Sequence, residues 1–79
     1  MKIFVKLYAP FLEFLPPTNN SGMVTLKMHS GVRACDVLLK LGIPTNYPKL
    51  ILVNGKLVQE DFILKEENVL ELIPPLAGG

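Results

Sequence analysis

The residues best placed for chemistry are the final six, Pro74-Pro75-Leu76-Ala77-Gly78-Gly79. Gly78 and Gly79 carry no Cβ, so their backbone takes extended or left-handed conformations at little steric cost and fits a channel too narrow for any side chain. Pro74 and Pro75 lack N–H donors, which stops strand pairing at Ile73. Two adjacent prolines also favour a stiff, extended path, lowering the entropy lost on docking. Six extended residues span roughly 20 Å, enough to put a terminal carboxylate deep inside another protein. The expected working group is therefore the carboxylate of Gly79, held out on a tail of residues 74–79 by a folded domain of residues 1–73. The plainer alternative is a frayed glycine end with no role.

No other stretch offers a reaction centre. The sequence holds no nucleophile–base pair, no phosphate-binding glycine loop and no metal-ligand cluster. Cys35 falls on a predicted helix beside its apolar stripe, with no flanking histidine to activate it, so it reads as a small hydrophobe. His29 stands alone and reads as a surface strand residue. Glu60, Asp61, Glu66 and Glu67 match no metal loop; they read as solvated turn residues or as contacts for a basic partner.

Composition narrows the classes further. A chain of 79 residues with 49% hydrophobic content predicts one folded domain near the lower size limit for a self-sufficient core. Charged residues make up 19% and the net charge is +1, which gives no electrostatic case for nucleic acid or membrane binding. One cysteine excludes an internal disulfide framework and suits a reducing compartment. Lys6 interrupts the opening apolar run too early for a signal peptide, and no apolar stretch reaches membrane-spanning length. The expected location is cytoplasmic.

The elements that would hold the tail follow from periodicity. Lys2 to Tyr8 alternates, with Ile3, Val5 and Leu7 on one face, which predicts a half-buried strand. Pro10 ends it, and Phe11 to Leu15 forms an apolar knot with about one helical turn. Pro16 to Gly22 is turn material. Met23 to His29 predicts a second strand, with Val24, Leu26 and Met28 inward, completing an antiparallel hairpin. Ala34, Val37, Leu38 and Leu41 then fall at helical spacing, with Gly42 as a stop and Ser30 as an N-cap candidate. Pro44 and Pro48 mark an irregular connection. Leu50 to Val53 predicts a strand that turns at Asn54-Gly55, a type I′ signal, into Lys56 to Val58. Asp61 to Glu67 is a connector with a tight helical turn expected at Phe62-Ile63-Leu64. Val69 to Ile73 is the last strand, with Leu70 and Leu72 inward. The order predicts an α+β domain: a mixed sheet of about five strands with one main helix packed on one face. If first and last strands are neighbours, the other face carries Phe4, Thr25, Val69 and Ile73, a partly apolar partner surface at the root of the tail.

These residues carry a resemblance. The element order is similar to the ubiquitin-like β-grasp fold. The ending from Leu70 to Gly79 resembles the tail of the MoaD/ThiS sulfur-carrier family, as do Asp36-Val37-Leu38-Leu39 with Leu41-Gly42, and Leu52-Val53-Asn54-Gly55-Lys56. The likeness covers nearly the whole chain. Its Pro-Pro-x-Ala-Gly-Gly ending and length are most similar to the small subunit of molybdopterin synthase. It departs from that branch at Leu12-Glu13, where an Arg-Glu pair is common.

The resemblance implies a division of labour. A carboxylate is a poor electrophile, because its charge repels nucleophiles and oxide is a bad leaving group. In this family a ubiquitin-activating-type adenylating enzyme uses ATP and Mg to convert the terminal carboxylate to an acyl-adenylate. Sulfur from a sulfur-donor protein then leaves a thiocarboxylate. In the molybdopterin branch the tail enters the large synthase subunit and gives its sulfur to a pterin precursor. By that resemblance Gly79 is the reacting residue. Gly78, Ala77, Leu76, Pro75, Phe4 and Ile73 meet partners, and the chain binds no cofactor and is no enzyme alone. A thiamine-pathway sulfur carrier, a ubiquitin-like modifier joined to lysines, and an interaction module whose tail is never activated remain open.

Overall fold

Alternation decides the strands. The computed structural model describes residues 1–15, 21–44 and 46–75. Strand β1 (Lys2–Leu7) buries Ile3, Val5 and Leu7 and turns the residues between them outward. It pairs antiparallel with β2 (Met23–Lys27), whose Val24 and Leu26 pack against the same core. A short 3₁₀ turn (Phe11–Phe14) lies between them and buries Phe11. Its Phe11 and Phe14 rings meet Tyr47 at centroid distances of 5.3 and 6.0 Å, tying this arm to the segment before β3.

Helix α1 (Ala34–Leu41) places Ala34, Val37 and Leu38 against the sheet. Gly42 ends it in the left-handed conformation, φ 80°, with its N–H returned to Leu38 and Leu39 carbonyls. Strands β3 (Leu50–Val53) and β4 (Lys56–Val58) form the expected hairpin. Asn54 and Gly55 have φ of 51° and 84°, as a type I′ turn requires. Strand β5 (Val69–Ile73) lies in the middle, parallel to β1 and antiparallel to β3. The five-stranded mixed sheet runs β2-β1-β5-β3-β4, with one helix on one face. That is the ubiquitin-like β-grasp arrangement. Residues from β1, β3, β5, the 3₁₀ turn, α1 and the connectors form one apolar core, against which Val24 and Leu26 of β2 and Val58 of β4 pack, and no polar side chain is buried among the described residues.

Two local expectations fail for one reason. Ser30 does not cap α1, and Phe62-Ile63-Leu64 does not form a helical turn. The two segments pair with each other instead. Leu64 N–H donates to Val32 O at 2.8 Å, Ile63 bridges Arg33, and Ala34 N–H donates to Phe62 O at 2.9 Å. This pairing holds residues 32–33 extended and delays the helix to Ala34. It also buries Leu64 fully, which an isolated turn would not. Arg33 takes the N-cap position, and Asp36 Oδ2 accepts its main-chain N–H at 2.9 Å, the returning half of a capping box. The predicted turn residues 16–20 lie outside the described residues.

Two predictions follow from these contacts. Asn54 both tolerates positive φ and uses its side chain: its Oδ1 accepts Val69 N–H at 2.8 Å while its own N–H donates to Val69 O at 2.9 Å. Asn54→Ala loses the side-chain bond and strains the turn, an expected cost of about 2 kcal/mol in urea unfolding. Asn54→Gly, which relieves the strain, costs less. Equal losses would assign the effect to the hydrogen bond alone. Asp36 titrates below its ordinary value of 3.8, chiefly because of the Arg33 main-chain N–H; the nearby guanidinium adds to this, and partial desolvation opposes it. A depressed carboxyl contributes stability above its unfolded pKa and loses it as pH falls through the folded one. Below pH 3.8 the wild type therefore loses stability more steeply than Asp36→Asn, measured by thermal unfolding against pH.

Candidate functional site

The sheet has two faces, and only one is covered by α1. On the open face the registers set what stands beside what. Phe4 is opposite Thr25 on β2 and Val69 on β5, and Lys6 is opposite Met23 and Glu71. Glu71 is opposite Leu52, Ile73 is opposite Leu50, and Leu52 is opposite Leu57. All four residues expected on this face, Phe4, Thr25, Val69 and Ile73, are there.

They do not form one cluster at the root of the tail. The parallel register puts Phe4 at the start of β5 and Ile73 at its end, four residues on, a separation of about 13 Å. The residues around Ile73 are Leu50, Leu52 and Leu57 on the aliphatic side, and Lys6 and Glu71 on the other. Leu57 is 65% exposed, a large apolar side chain on an edge strand. Sequence reading missed these leucines because it left the β3–β4 hairpin unassigned to a face. The signal was present: the Asn54-Gly55 turn fixes the register, and period-two alternation from Leu70 and Leu72 then places Leu50, Leu52 and Leu57 opposite the core.

One polar contact sits within this surface. The Tyr8 hydroxyl donates to Glu71 Oε2 at 2.8 Å, and Lys6 Nζ lies 5.4 Å from the Tyr8 ring centroid. The bond satisfies Glu71 on a half-buried part of the sheet. Farther along, Lys2 Nζ lies 5.5 Å from the Phe4 ring. Beyond Ile73, Pro74 and Pro75 are exposed and unpaired by strand structure. Leu76, Ala77, Gly78 and Gly79 lie outside the described residues.

The other candidates stay apart. Cys35 is half-buried, and its thiol makes only a long contact, 4.0 Å, with Asp36 Oδ1. His29 is exposed, with Nδ1 2.9 Å from Ser30 O. Glu66 accepts Lys2 N–H and Glu67 pairs with Lys2 Nζ at 3.8 Å, so they are rim contacts of β1. An open cleft of about 880 Å³ lies between the segment leading into β3 and the segment leaving β4, lined by residues including Tyr47, Lys49, Leu50, Leu57, Glu60 and Asp61. Its charged groups include no nucleophile–base pair. Among the described residues no group of His, Cys, Asp and Glu could hold a metal ion, and no helix is long and apolar enough to cross a membrane.

Comparison with known proteins bears on this surface. Residues 1–77 match the family model described as Mut7-C ubiquitin. SAMP1 from Haloferax volcanii superposes with a TM-score of 0.75 at 19% identity, covering all of both chains. A Pyrococcus furiosus structure assigned as molybdopterin converting factor subunit 1 superposes at 0.72 with 23% identity, over 95% of this chain and 98% of that one. The protein–protein complex of subunits 1 and 2 of molybdopterin-converting factor from Helicobacter pylori 26695 contains a chain similar at 0.66 and 19%, covering all of both chains. At these identities the superpositions establish the shared fold. No curated protein matches the chain in sequence.

The Tyr8–Glu71 contact is open to direct test. Tyr8→Phe leaves the half-buried carboxylate without its donor and costs about 1 kcal/mol in urea unfolding. Glu71→Gln keeps an acceptor for the hydroxyl and costs less. If Tyr8→Phe is neutral, the hydrogen bond contributes nothing to the fold.

Proposed function

The chain belongs to the Mut7-C ubiquitin family, and from that membership we propose that it is a sulfur carrier whose reactive group is the Gly79 carboxylate. The observation that carries the reading is where the glycine pair sits. A central strand ends at Ile73, two exposed prolines follow, and only Leu76 and Ala77 separate them from Gly78-Gly79. The reading requires that Gly79 carry a free carboxylate in the working protein.

In the proposed reaction an adenylating partner supplies Mg-ATP. A Gly79 carboxylate oxygen attacks the α-phosphorus and pyrophosphate leaves. A donor persulfide then attacks the acyl carbon and AMP leaves, forming an acyl disulfide. A thiol cleaves the S–S bond, giving the Gly79 thiocarboxylate and a disulfide. This chain contributes the acyl carbon and its presentation. Its own residues bring no acid or base to the reaction. Gly78, Ala77, Leu76 and Pro75 lie in the partner's channel, and Ile73 with the neighbouring leucines rests on the partner's surface. Phe4 extends that contact along the face. ATP and Mg belong to the partner, and the chain holds no cofactor.

Downstream, the reading places the chain as the small, sulfur-donating subunit of a molybdopterin synthase-type complex in the cytoplasm. The Pyrococcus furiosus and Helicobacter pylori structures support this by fold and by their converting-factor descriptions. The second is itself a complex with a subunit 2, which supports a large-subunit partner. A second reading is favoured by the likeness to a Haloferax volcanii small archaeal modifier protein, TM-score 0.74. There the same acyl-adenylate would meet a lysine amine and end in an isopeptide bond. A thiamine-pathway acceptor would use the same loaded tail.

The test is intact mass of the full chain after incubation with an adenylating enzyme, Mg-ATP and a persulfide donor. Replacement of one oxygen by sulfur is the expected result; conjugates to lysine-bearing proteins would support the modifier. Adding one alanine after Gly79 abolishes loading and leaves the thermal midpoint unchanged. Normal loading of that extended variant overturns the reading.

A further inference from the structure

The two edges of the sheet differ in what they leave unpaired. At β4 the ladder ends quickly: the strand is three residues long, and the carbonyl of Gln59, just beyond it, accepts Phe62 N–H at 3.1 Å. At β2 the ladder stays open. Leu7 N–H donates to Gly22 O and Met28 N–H donates to Met1 O, so Gly22, Val24, Leu26 and Met28 turn their main-chain groups toward β1. Met23, Thr25 and Lys27 therefore turn theirs away from the sheet. The Ser21 hydroxyl lies 3.3 Å from both the N and the O of Met23 and engages that end of the edge. Thr25 and Lys27 are exposed, and among the described residues nothing bonds their outward N–H and C=O groups.

The core is unfinished along the same edge. Ile3 and Val5 are completely buried, but Leu26 and Val24, which lie opposite them on β2, are only half-buried, as is Met28. All three pack against the core. No strand lies beyond β2 to cover the rest of them. A row of main-chain donors and acceptors thus runs beside an apolar strip on the helix side of the sheet.

We propose that the β2 edge takes an extended segment of another protein as a further strand, antiparallel to β2 and with aliphatic side chains on the helix side. Donors and acceptors repeating every second residue match a backbone in the β conformation, whereas a helix has its own groups bonded internally. The N–H and C=O groups of the segment meet those of Thr25 and Lys27. Its residues opposite Val24 and Leu26 are aliphatic and close the strip, and the residue between them faces the other side of the sheet. A second copy is the poorer occupant, because it adds the lysines of another chain to Lys2 and Lys27, which already oppose each other. The site does not rest on the sulfur-carrier reading. Strand β1 separates β2 from β5, so the segment leaves Ile73 and the root of the tail clear.

The experiment follows hydrogen exchange, amide by amide, on the ¹⁵N-labelled full chain. The probe is the peptide acetyl-Thr-Val-Ser-Ile-Thr-Val-Ser-amide, whose valines and isoleucine share one face of a strand. Its counterpart carries proline in place of the two residues that flank isoleucine, which keeps the aliphatic side chains and removes the donors that would face β2. The first peptide is expected to slow exchange at Thr25 and Lys27 by about tenfold or more and to leave Leu57, on the opposite edge, unchanged. The proline peptide is expected to protect neither. Thr25→Pro removes an N–H that the fold does not use, at an edge position where proline is tolerated. That variant is expected to keep the wild-type thermal midpoint and to bind the first peptide about tenfold more weakly. If it does not fold, the two peptides still decide the matter on the wild-type chain. Equal protection by both peptides, protection at Leu57 instead, or none with about 1 mM peptide overturns the proposal. So does protection of Thr25 and Lys27 that rises with the concentration of the chain alone, which assigns the edge to a second copy.

Discussion

The structure depends on the position of β5. It pairs on both sides, parallel to β1 and antiparallel to β3, and its Leu70 and Leu72 are fully buried. A parallel pair cannot be closed by a tight turn, so the chain between β1 and β5 must cross over, and that crossover carries α1 and the β3–β4 hairpin. The last strand is thus locked into the middle of the sheet by every earlier element. Whatever follows Ile73 leaves from a rigid root, because pulling on it would break two ladders and expose the core. A tail on an edge strand would have no such anchor.

The core behind that root is apolar throughout the described residues. Among the described residues no polar side chain is buried, and no buried side-chain polar atom lacks a partner. Burying polar groups without full pairing is expensive, and reactive sites accumulate such groups. Here the ionisable groups stay outward, where they cap a helix, pair across a rim or lie over rings. A domain near the lower size limit has few kcal/mol to spare, so keeping these groups in solvent avoids a desolvation cost that the small core could not offset.

Much of this was legible because each signal was local and agreed with its neighbours. The alternation of Ile3, Val5 and Leu7, the helical spacing of Ala34, Val37 and Leu38, Gly42 as a stop, and Asn54-Gly55 as a turn each specify one conformation through sterics or periodicity. What escaped was set by distant pairing. Ser30 is a good cap by residue type, and Phe62 to Leu64 is compatible with a turn, but Val32 to Ala34 pairs with Phe62 to Leu64 across about 30 positions. No windowed reading contains that contact. The candidate site divides the same way. Phe4 and Ile73 were placed on the correct face from alternation alone. Their separation along the sheet depends on the β1–β5 register, which local pattern does not carry, whereas the leucines near Ile73 were readable from the Asn54-Gly55 turn and alternation.

An open apolar face on a small sheet brings a hazard that the edges must answer. Exposed leucines beside an unpaired strand invite pairing with another copy. In this chain the edge nearest Leu57 is β4, three residues long and opened by Lys56. The opposite edge, β2, is longer but carries Lys27 against Lys2. Edge-to-edge approach of two β2 strands would bring these lysines toward each other, so the repulsion that weakens the fold slightly also discourages self-association.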